Sequence, residues 1–366
     1  MGVKTNERQW TRDMPYDDHS GVGMAEYSLE RLHADNAGLW ENFNNTSHEG
    51  SFFHSLKWKQ ILDTTTQART HYFLLFKDGD IFGTFPFIEG KIHYFNGLVP
   101  LPGCGHNNAI IQDCRDSAAI HYVLKELRTL TTNTTKFSFI CLSTLHKETL
   151  EHIKQFPTYP YRNEGNMILD IRQSPPDRIW DTFTAKKGQR KFIRRFDEQE
   201  FQLTELKSLD DLKLFYQYYK ENIDFIGGRL QTFSHFEFLL RNVSLSDEMR
   251  ITWLSKDSTV AGGVLMFTHK PQKTVYLQYL SLNRSLPNTY HPSYYLFWEA
   301  ITWAWKNNYE KISFGVQELD EHDSRYRIKS ELGGNFEPLH SKMIAVSNIF
   351  SAGHTLIQGI HRIRSF

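Results

Sequence analysis

The sequence predicts a mixed α/β protein built from two tandem copies of one unit, and three observations predict it. First, "FKDGDIFGTFPF" (76–87) and "SKDSTVAGGVLMF" (255–267) each place a Lys-Asp turn between two apolar runs, with glycine soon after. That is the pattern of antiparallel strands joined by a tight turn. Second, "KFSFICL" (136–142) resembles "KISFGVQ" (311–317), and each follows a segment with helical patterning, 116–131 and 293–308. Third, the matching elements recur about 175 to 180 residues apart, a spacing that suits two domain-sized copies and not a solenoid. The boundary is expected near 160–166, giving a first unit over 25–163 and a second over 164–345.

The composition agrees with two cores: of 366 residues, 40% are hydrophobic and 14% aromatic. The first 24 residues form a polar arm without the apolar stretch of a signal peptide, and no uncharged run is long enough to span a bilayer. A soluble, cytoplasmic chain is expected. Lys plus Arg (42) equals Asp plus Glu (42), so no overall field draws the protein to nucleic acid or to an anionic membrane; any such affinity must come from a local patch. Cys104, Cys114 and Cys141 are odd in number and lack CxxC spacing, which suggests neither a disulfide framework nor a zinc site. The 17 histidines show no HxH or HExxH spacing, so no metal is expected.

Between the copies, "YRNEGNMILDI" (161–171) reads as the strand that opens the second unit. A helical stretch follows from Pro175 through Glu200, with Ser174 and early prolines suited to a helix start. It contains "KKGQRKFIRR", where helical spacing groups Lys187, Arg190, Lys191 and Arg194 on one side. Such a side can bind phosphates or simply be solvated; Gly188 weakens the helix, and Asp197, Glu198 and Glu200 offset part of the charge. "DFIGGRLQTF" sets Arg229 after two glycines, where backbone can come close to a ligand. "SRYRIKSELGGNFEPL" (324–339) puts two arginines and a lysine on a short helix that a Gly-Gly pair ends. The last segment, 346–366, is amphipathic and reads either as a helix docked on the body or as a membrane-surface helix.

Four of these stretches together resemble FemAB-type peptidyltransferases and related acyltransferases: "WDTFTAKKGQRKFIRRFDEQEFQLTEL" (180–206), "FGVQELDEHDSRYRIKSELGGNFEPL" (314–339), "FFHSLKWKQIL" (52–62) and "PLPGCGHN" (100–107). The resemblance covers nearly the whole chain after residue 25. It implies two tandem units of the GNAT fold. It also implies transfer of an aminoacyl group from aminoacyl-tRNA to an amine of a cell-envelope precursor or small metabolite, with no cofactor beyond the donor substrate. Lys329 matches the family's Tyr-x-x-Lys position near the reacting carbonyl or the acceptor phosphates, flanked by Tyr326 and Arg325. Arg229, Lys57 and Lys59 are the acceptor-side candidates, with Trp58 as a core anchor; Lys187, Arg190, Lys191 and Arg194 are the donor-side candidates. The tRNA contact would be transient, and peripheral contact with the inner face of the membrane is compatible with the C-terminal segment.

Amine acylation needs a neutral amine, an activated ester or thioester, and donors aimed at the forming oxyanion. Lys329 can supply such a donor; the competing role is an exposed lysine at a helix C-terminus. The loop from Glu318 to Asp323 offers carboxylates and His322, but none is assigned as a base. Two rival functions stand beside the leading one: transfer from acyl-CoA or an acyl carrier protein, and glycan binding without catalysis. Against the first, "SLNRSLPNTYHPSYYLFW" (281–298) has no glycine where backbone N–H groups would meet a diphosphate; Pro287 and Pro292 remove donors, and Tyr290, Tyr294 and Tyr295 are expected to crowd the place.

Overall fold

The computed structural model describes residues 25–103, 107–134, 136–183, 188–243, 247–287 and 289–353. In chain order the first unit comprises β1 (Tyr27–Arg31), α1 (Ala37–Thr46), α2 (Leu56–Thr65), β2 (Thr70–Lys77), β3 (Asp80–Ile92), β4 (Phe95–Val99), β5 (Ile110–Ile111), α3 (Ser117–Thr134), β6 (Phe139–Thr144), α4 (Lys147–Glu151) and β7 (Thr158–Pro160). The chain continues with β8 (Glu164–Asp170), α5 (Pro176–Thr182), α6 (Gln189–Glu198), β9 (Gln202–Glu205), α7 (Leu209–Ile226), α8 (Phe233–Asn242), β10 (Met249–Lys256), β11 (Thr259–His269), β12 (Thr274–Leu282), α9 (Pro292–Lys306), β13 (Lys311–Glu318), α10 (Ser324–Glu331) and β14 (Asn335–Ala345).

The repeat seen in the sequence extends to backbone detail. Both hairpins turn through an aspartate in the left-handed region, Asp78 at φ 53° and Asp257 at φ 51°, a conformation that short polar side chains tolerate better than most. Both also carry a bulge at the same point: Leu75 faces Gly83 while Phe76 faces Ile81, and Leu254 faces Gly262 while Ser255 faces Val260. The two glycines are where a neighbouring strand crowds in. A Cβ on Gly83 would lie 2.9 Å from the Ile110 carbonyl oxygen, and one on Gly262 2.4 Å from that of Ser281.

The helical stretch expected as one run from Pro175 to Glu200 is two helices. α5 closes with the Phe183 N–H on the Trp180 carbonyl, and α6 starts from Gly188 at φ 74°. Gly188 therefore resets the chain direction instead of merely weakening a continuous helix.

All strands join in one 14-stranded sheet, whose main path runs β1-β2-β3-β4-β6-β14-β8-β13-β12-β11-β10-β9. Residues Asn335 to Leu339 of β14 pair with β8, and His340 to Ala345 pair with β6. The boundary expected at 163/164 lies between β7 and β8; β8 pairs with β13 within the second unit, while the far half of β14, also of the second unit, crosses over to pair with β6 of the first.

One core runs through the seam between the units. Phe52, Phe53 and Trp58 of the first unit pack with Phe215, Phe236, Phe267 and Tyr276 of the second, and the Phe52 and Phe267 rings stack at 4.3 Å. Trp58 is 1% exposed and its indole N–H donates to the Pro102 carbonyl, the anchoring role expected of it. A second core lies under α5, α6, α9 and α10, on the opposite face of the second unit's strands. Phe350 is fully buried against Phe95 and Phe139 at 5.1 Å each, so the start of the C-terminal segment is docked on the body. The amphipathic residues beyond 353 and the N-terminal arm lie outside the described residues.

Three histidines of this seam, His54, His235 and His269, are held neutral by burial, each with its pKa pushed down to about 4. Between the ordinary value of 6.5 and about 4 the unfolded chain binds protons at these sites that the folded chain does not. Each therefore removes up to about 1.4 kcal/mol of stability per pH unit as pH falls through that window. The measurement is unfolding free energy against pH for the wild type and His235→Asn: the variant's slope over that window should be shallower by one proton, and equal slopes would refute the assignment.

Candidate functional site

β12 and β13 run parallel but pair only at Thr274 to Tyr276 with Lys311 to Ser313. Past that point the strands part. Gly315, at φ 88° and with its N–H on Ser313 Oγ at 3.2 Å, carries a register shift that keeps β13 beside β8. Among the described residues, the β12 edge has no strand partner on that side from Leu277 to Leu282.

Side chains line this opening. From α7, Asn222 Nδ2 donates to the Leu280 carbonyl at 3.1 Å, and the Arg284 guanidinium donates to Asn222 Oδ1 while lying 4.2 Å from the Phe225 ring centre. Tyr279 OH lies 3.0 Å from His235 Nε2, whose Nδ1 is 2.9 Å from Thr65 Oγ1, so a polar chain connects β12 to the first unit. On the β13 side, both amide atoms of Gln317 and Oδ1 of Asn166 are buried without a hydrogen-bond partner. Buried amides of this kind are where a ligand's polar groups or water are normally found.

α10 follows β13 and packs Tyr326 and Ile328 against the core under α6 and α9. Asp323 caps it, accepting from the Arg325 N–H at 2.7 Å, and the Arg325 guanidinium closes on the same carboxylate at 2.9 and 3.0 Å. That hydrogen bond holds the Asp323 carboxyl below its usual range. At the other end, the Gly334 N–H meets the Lys329 carbonyl and the Gly333 N–H the Ser330 carbonyl, both at 3.0 Å, with Gly333 at φ 89°. This double bond pattern is the Schellman stop. A Cβ on Gly334 would sit 2.9 Å from the Lys329 oxygen and 3.2 Å from the Phe314 ring, so glycine is required there. Glu331 Oε2 accepts from Gln189 Nε2 at 3.2 Å and Tyr294 OH at 2.5 Å, tying α10 to α6 and α9. Lys329 is thus half-buried on a helix fixed at both ends and to two neighbours.

Lys329, Tyr326 and Arg325 share α10, although Arg325 is engaged by Asp323. Arg190 is spent locally: Nε and Nη2 donate to the Trp180 carbonyl at 3.2 and 2.8 Å, and its guanidinium lies over that indole, as does that of Arg194. Lys191 is exposed on α6, and Lys187 lies outside the described residues. Arg229 is exposed just past the α7 cap at Gly227. Lys57 pairs with Glu248, and Lys59 with Asp63 at 2.5 Å. Both sit on α2, which packs against α8; that core and the one holding α10 lie on opposite faces of the second unit's strands. The structure does not bring them to Lys329.

Tyr294 and Tyr295 do not crowd the start of α9 as expected; at 6% and 5% exposure they turn into the core, bonded to Glu331 and Asp197. Pro292 stands in the first turn of α9, where a missing N–H costs nothing. A surface depression of about 500 Å³ lined by Arg172, Lys273, Trp305, Lys306 and Glu310 lies at the other end of β12 and β13, where Glu310 pairs with both Arg172 and Lys273.

Asn222, Arg284, Gln317, Asn166 and the Thr65–His235–Tyr279 chain were not legible in the sequence. Each is an isolated polar residue whose neighbours are distant in the chain, so no local spacing marks it.

Residues 185–327 match the family model described as an acetyltransferase (GNAT) domain. Among solved structures the chain is similar to FemX, at 12% identity and a TM-score of 0.67, covering 88% of this chain and 99% of that one. It is similar to a tandem GNAT protein from the clavulanic acid biosynthesis pathway, at 8% identity, a TM-score of 0.56 and the same coverages. L-PGS from Bacillus licheniformis matches at 11% identity and a TM-score of 0.50, over 76% of this chain and 85% of that one. No curated protein sequence matches significantly.

Replacing Asp323 by Ala removes the α10 cap and frees Arg325. The expected cost is about 1 kcal/mol of stability, measured by denaturant unfolding, with faster amide exchange confined to α10; unchanged exchange there would show that the cap does not hold the helix.

Proposed function

From the premise that this chain carries a GNAT-type acetyltransferase domain over residues 185–327 within a FemAB-like tandem GNAT fold, we propose that it transfers an aminoacyl group from aminoacyl-tRNA to an acceptor amine. The observation that carries this reading is the opening between β12 and β13, with β13 leading on into the lysine-bearing helix α10.

In this reading the acyl ester enters the opening against the unpaired edge of β12. Asn222 and Arg284 hold that edge in place through the Leu280 carbonyl. Gln317 and Asn166 offer amide groups to the aminoacyl moiety. The neutral acceptor amine attacks the carbonyl carbon, a C–N bond forms, and the oxyanion develops toward the Lys329 ammonium. Collapse breaks the ester C–O bond, and the terminal ribose oxygen leaves as a hydroxyl with the proton given up by the attacking nitrogen, which became positively charged when the C–N bond formed. Lys329 acts as an electrostatic donor in this scheme and takes no covalent part.

One observation favours acyl-CoA as the second reading: with Tyr294 and Tyr295 turned inward, the N-terminus of α9 is less crowded than the sequence implied. The discriminating experiment is binding of charged tRNA, uncharged tRNA and acetyl-CoA across a salt series. Salt-sensitive preference for charged tRNA supports the first reading; saturable binding of acetyl-CoA alone replaces it with the second.

Once a donor and acceptor pair is in hand, Lys329→Met should lower kcat by about 10²-fold to 10³-fold with little change in donor Kd, the signature of a group that acts on the oxyanion. A fall in donor affinity with unchanged kcat would move Lys329 from catalysis to binding.

A further inference from the structure

On the outer side of the first unit, two loops distant in sequence meet. Cys114 sits in the turn between β5 and α3, His146 is the cap residue of α4 and Glu148 lies in its first turn. The Cys114 sulfur, a ring nitrogen of His146 and a carboxylate oxygen of Glu148 all lie within 4.8 Å of one another.

A second observation comes from behind the histidine. Glu49, its side chain only 12% exposed, receives His146 Nε2 on Oε1 at 2.9 Å and Asn107 Nδ2 on Oε2 at 2.5 Å. With Nε2 donating to this carboxylate, the lone pair of Nδ1 is left for a ligand. A buried carboxylate that fixes the tautomer and orientation of a histidine is the usual support of a metal-binding imidazole.

We propose that Cys114, His146 and Glu148 bind one divalent transition metal, with zinc the best match, and that Glu49 holds His146 for it. A thiolate, an imidazole and a carboxylate form a donor set suited to tetrahedral zinc, with the fourth position open to water. Bonds of about 2.0 to 2.3 Å to a tetrahedral ion place ligand atoms about 3.3 to 3.8 Å apart, which the exposed Glu148 side chain reaches by a small rotation. The ion would brace the segment before α3 against the start of α4. Through Glu49 and Asn107 it would also brace the loop whose Asn107 carbonyl meets His54 Nε2 at 2.6 Å in the seam.

The test uses the full chain, stripped with a chelator and titrated with Zn²⁺ and, as a spectroscopic probe, Co²⁺. One ion should bind per chain, and the Co²⁺ form should show a thiolate-to-metal charge-transfer band with the strong visible bands of tetrahedral cobalt. Cys114→Ser should abolish the charge-transfer band. Glu49→Gln should keep that band and weaken affinity about 10-fold to 100-fold, and His146→Gln should lose tight binding, with circular dichroism confirming that each variant is folded. Absence of stoichiometric binding, or a cobalt spectrum without a thiolate band or unchanged in folded Cys114→Ser, overturns the proposal.

Discussion

The split pairing of β14 is the constraint on which the rest depends. Its first half is fixed beside β8 and its second beside β6, so the strand that closes the first unit's sheet is also the strand onto which α10 discharges. The Gly333–Gly334 return sets the distance between the two: the Lys329 carbonyl is bonded to the residue that immediately precedes β14. A slip of one residue in β14 would turn Met343 and Ala345 out of their core and pull on the last turn of α10 together. The position of Lys329 is therefore set by pairing in both units, although it lies in only one.

The aromatic seam has a consequence for how substrates enter. Separating the units would expose Phe52, Phe53, Trp58 and Phe267, each costing on the order of 2 kcal/mol to return to water, besides the stacking between Phe52 and Phe267. The part-buried contacts between Lys57 and Glu248 and between His235 and Thr65 would be broken as well. A hinge at the seam is consequently expensive, while the opening between β12 and β13 already exists in the strand register. On the proposed function, donor and acceptor would meet in a preformed gap, which places the demand for precision on rigid elements and not on closure.

Much of the fold was legible because its signals are local. Asp78 and Asp257 mark turns, Gly83 and Gly262 mark crowded bulges, and the Gly333–Gly334 pair marks the end of α10; each announces a backbone conformation or a close approach that few other residues accept. The crossing of the far half of β14 to β6 was not legible, since an alternating strand pattern states which face is buried and not which strand is adjacent. The same limit separated Lys57 and Lys59 from Lys329: a lysine's chemistry is visible in a sequence, but the sheet that stands between two of them is not. Tyr294 and Tyr295 were read as obstacles on their size alone, whereas the α9 helix turns both toward α6. The Cys114, His146 and Glu148 cluster escaped notice because motif spacings detect ligands that share one element, and these come from two.

The charges of α6 suit a donor that binds and leaves. Of the basic residues there, Arg190 is bound to the Trp180 carbonyl, Arg194 lies on the Trp180 indole and Arg195 lies over Tyr290 and bonds the Thr289 carbonyl, which leaves few cations fully committed to solvent. Each phosphate neutralised contributes about 0.7 to 0.9 to the slope of log affinity against log salt, so a surface of this kind gives a shallow slope and modest affinity. The chain as a whole adds nothing, having equal numbers of acidic and basic residues. On the proposed tRNA-dependent reading, a face built mainly of stacked arginines would provide orientation through planar contacts while keeping the electrostatic hold weak. Preference for the charged form would then have to come from the aminoacyl group, for which the unpartnered amide atoms of Gln317 and Asn166 are the candidates.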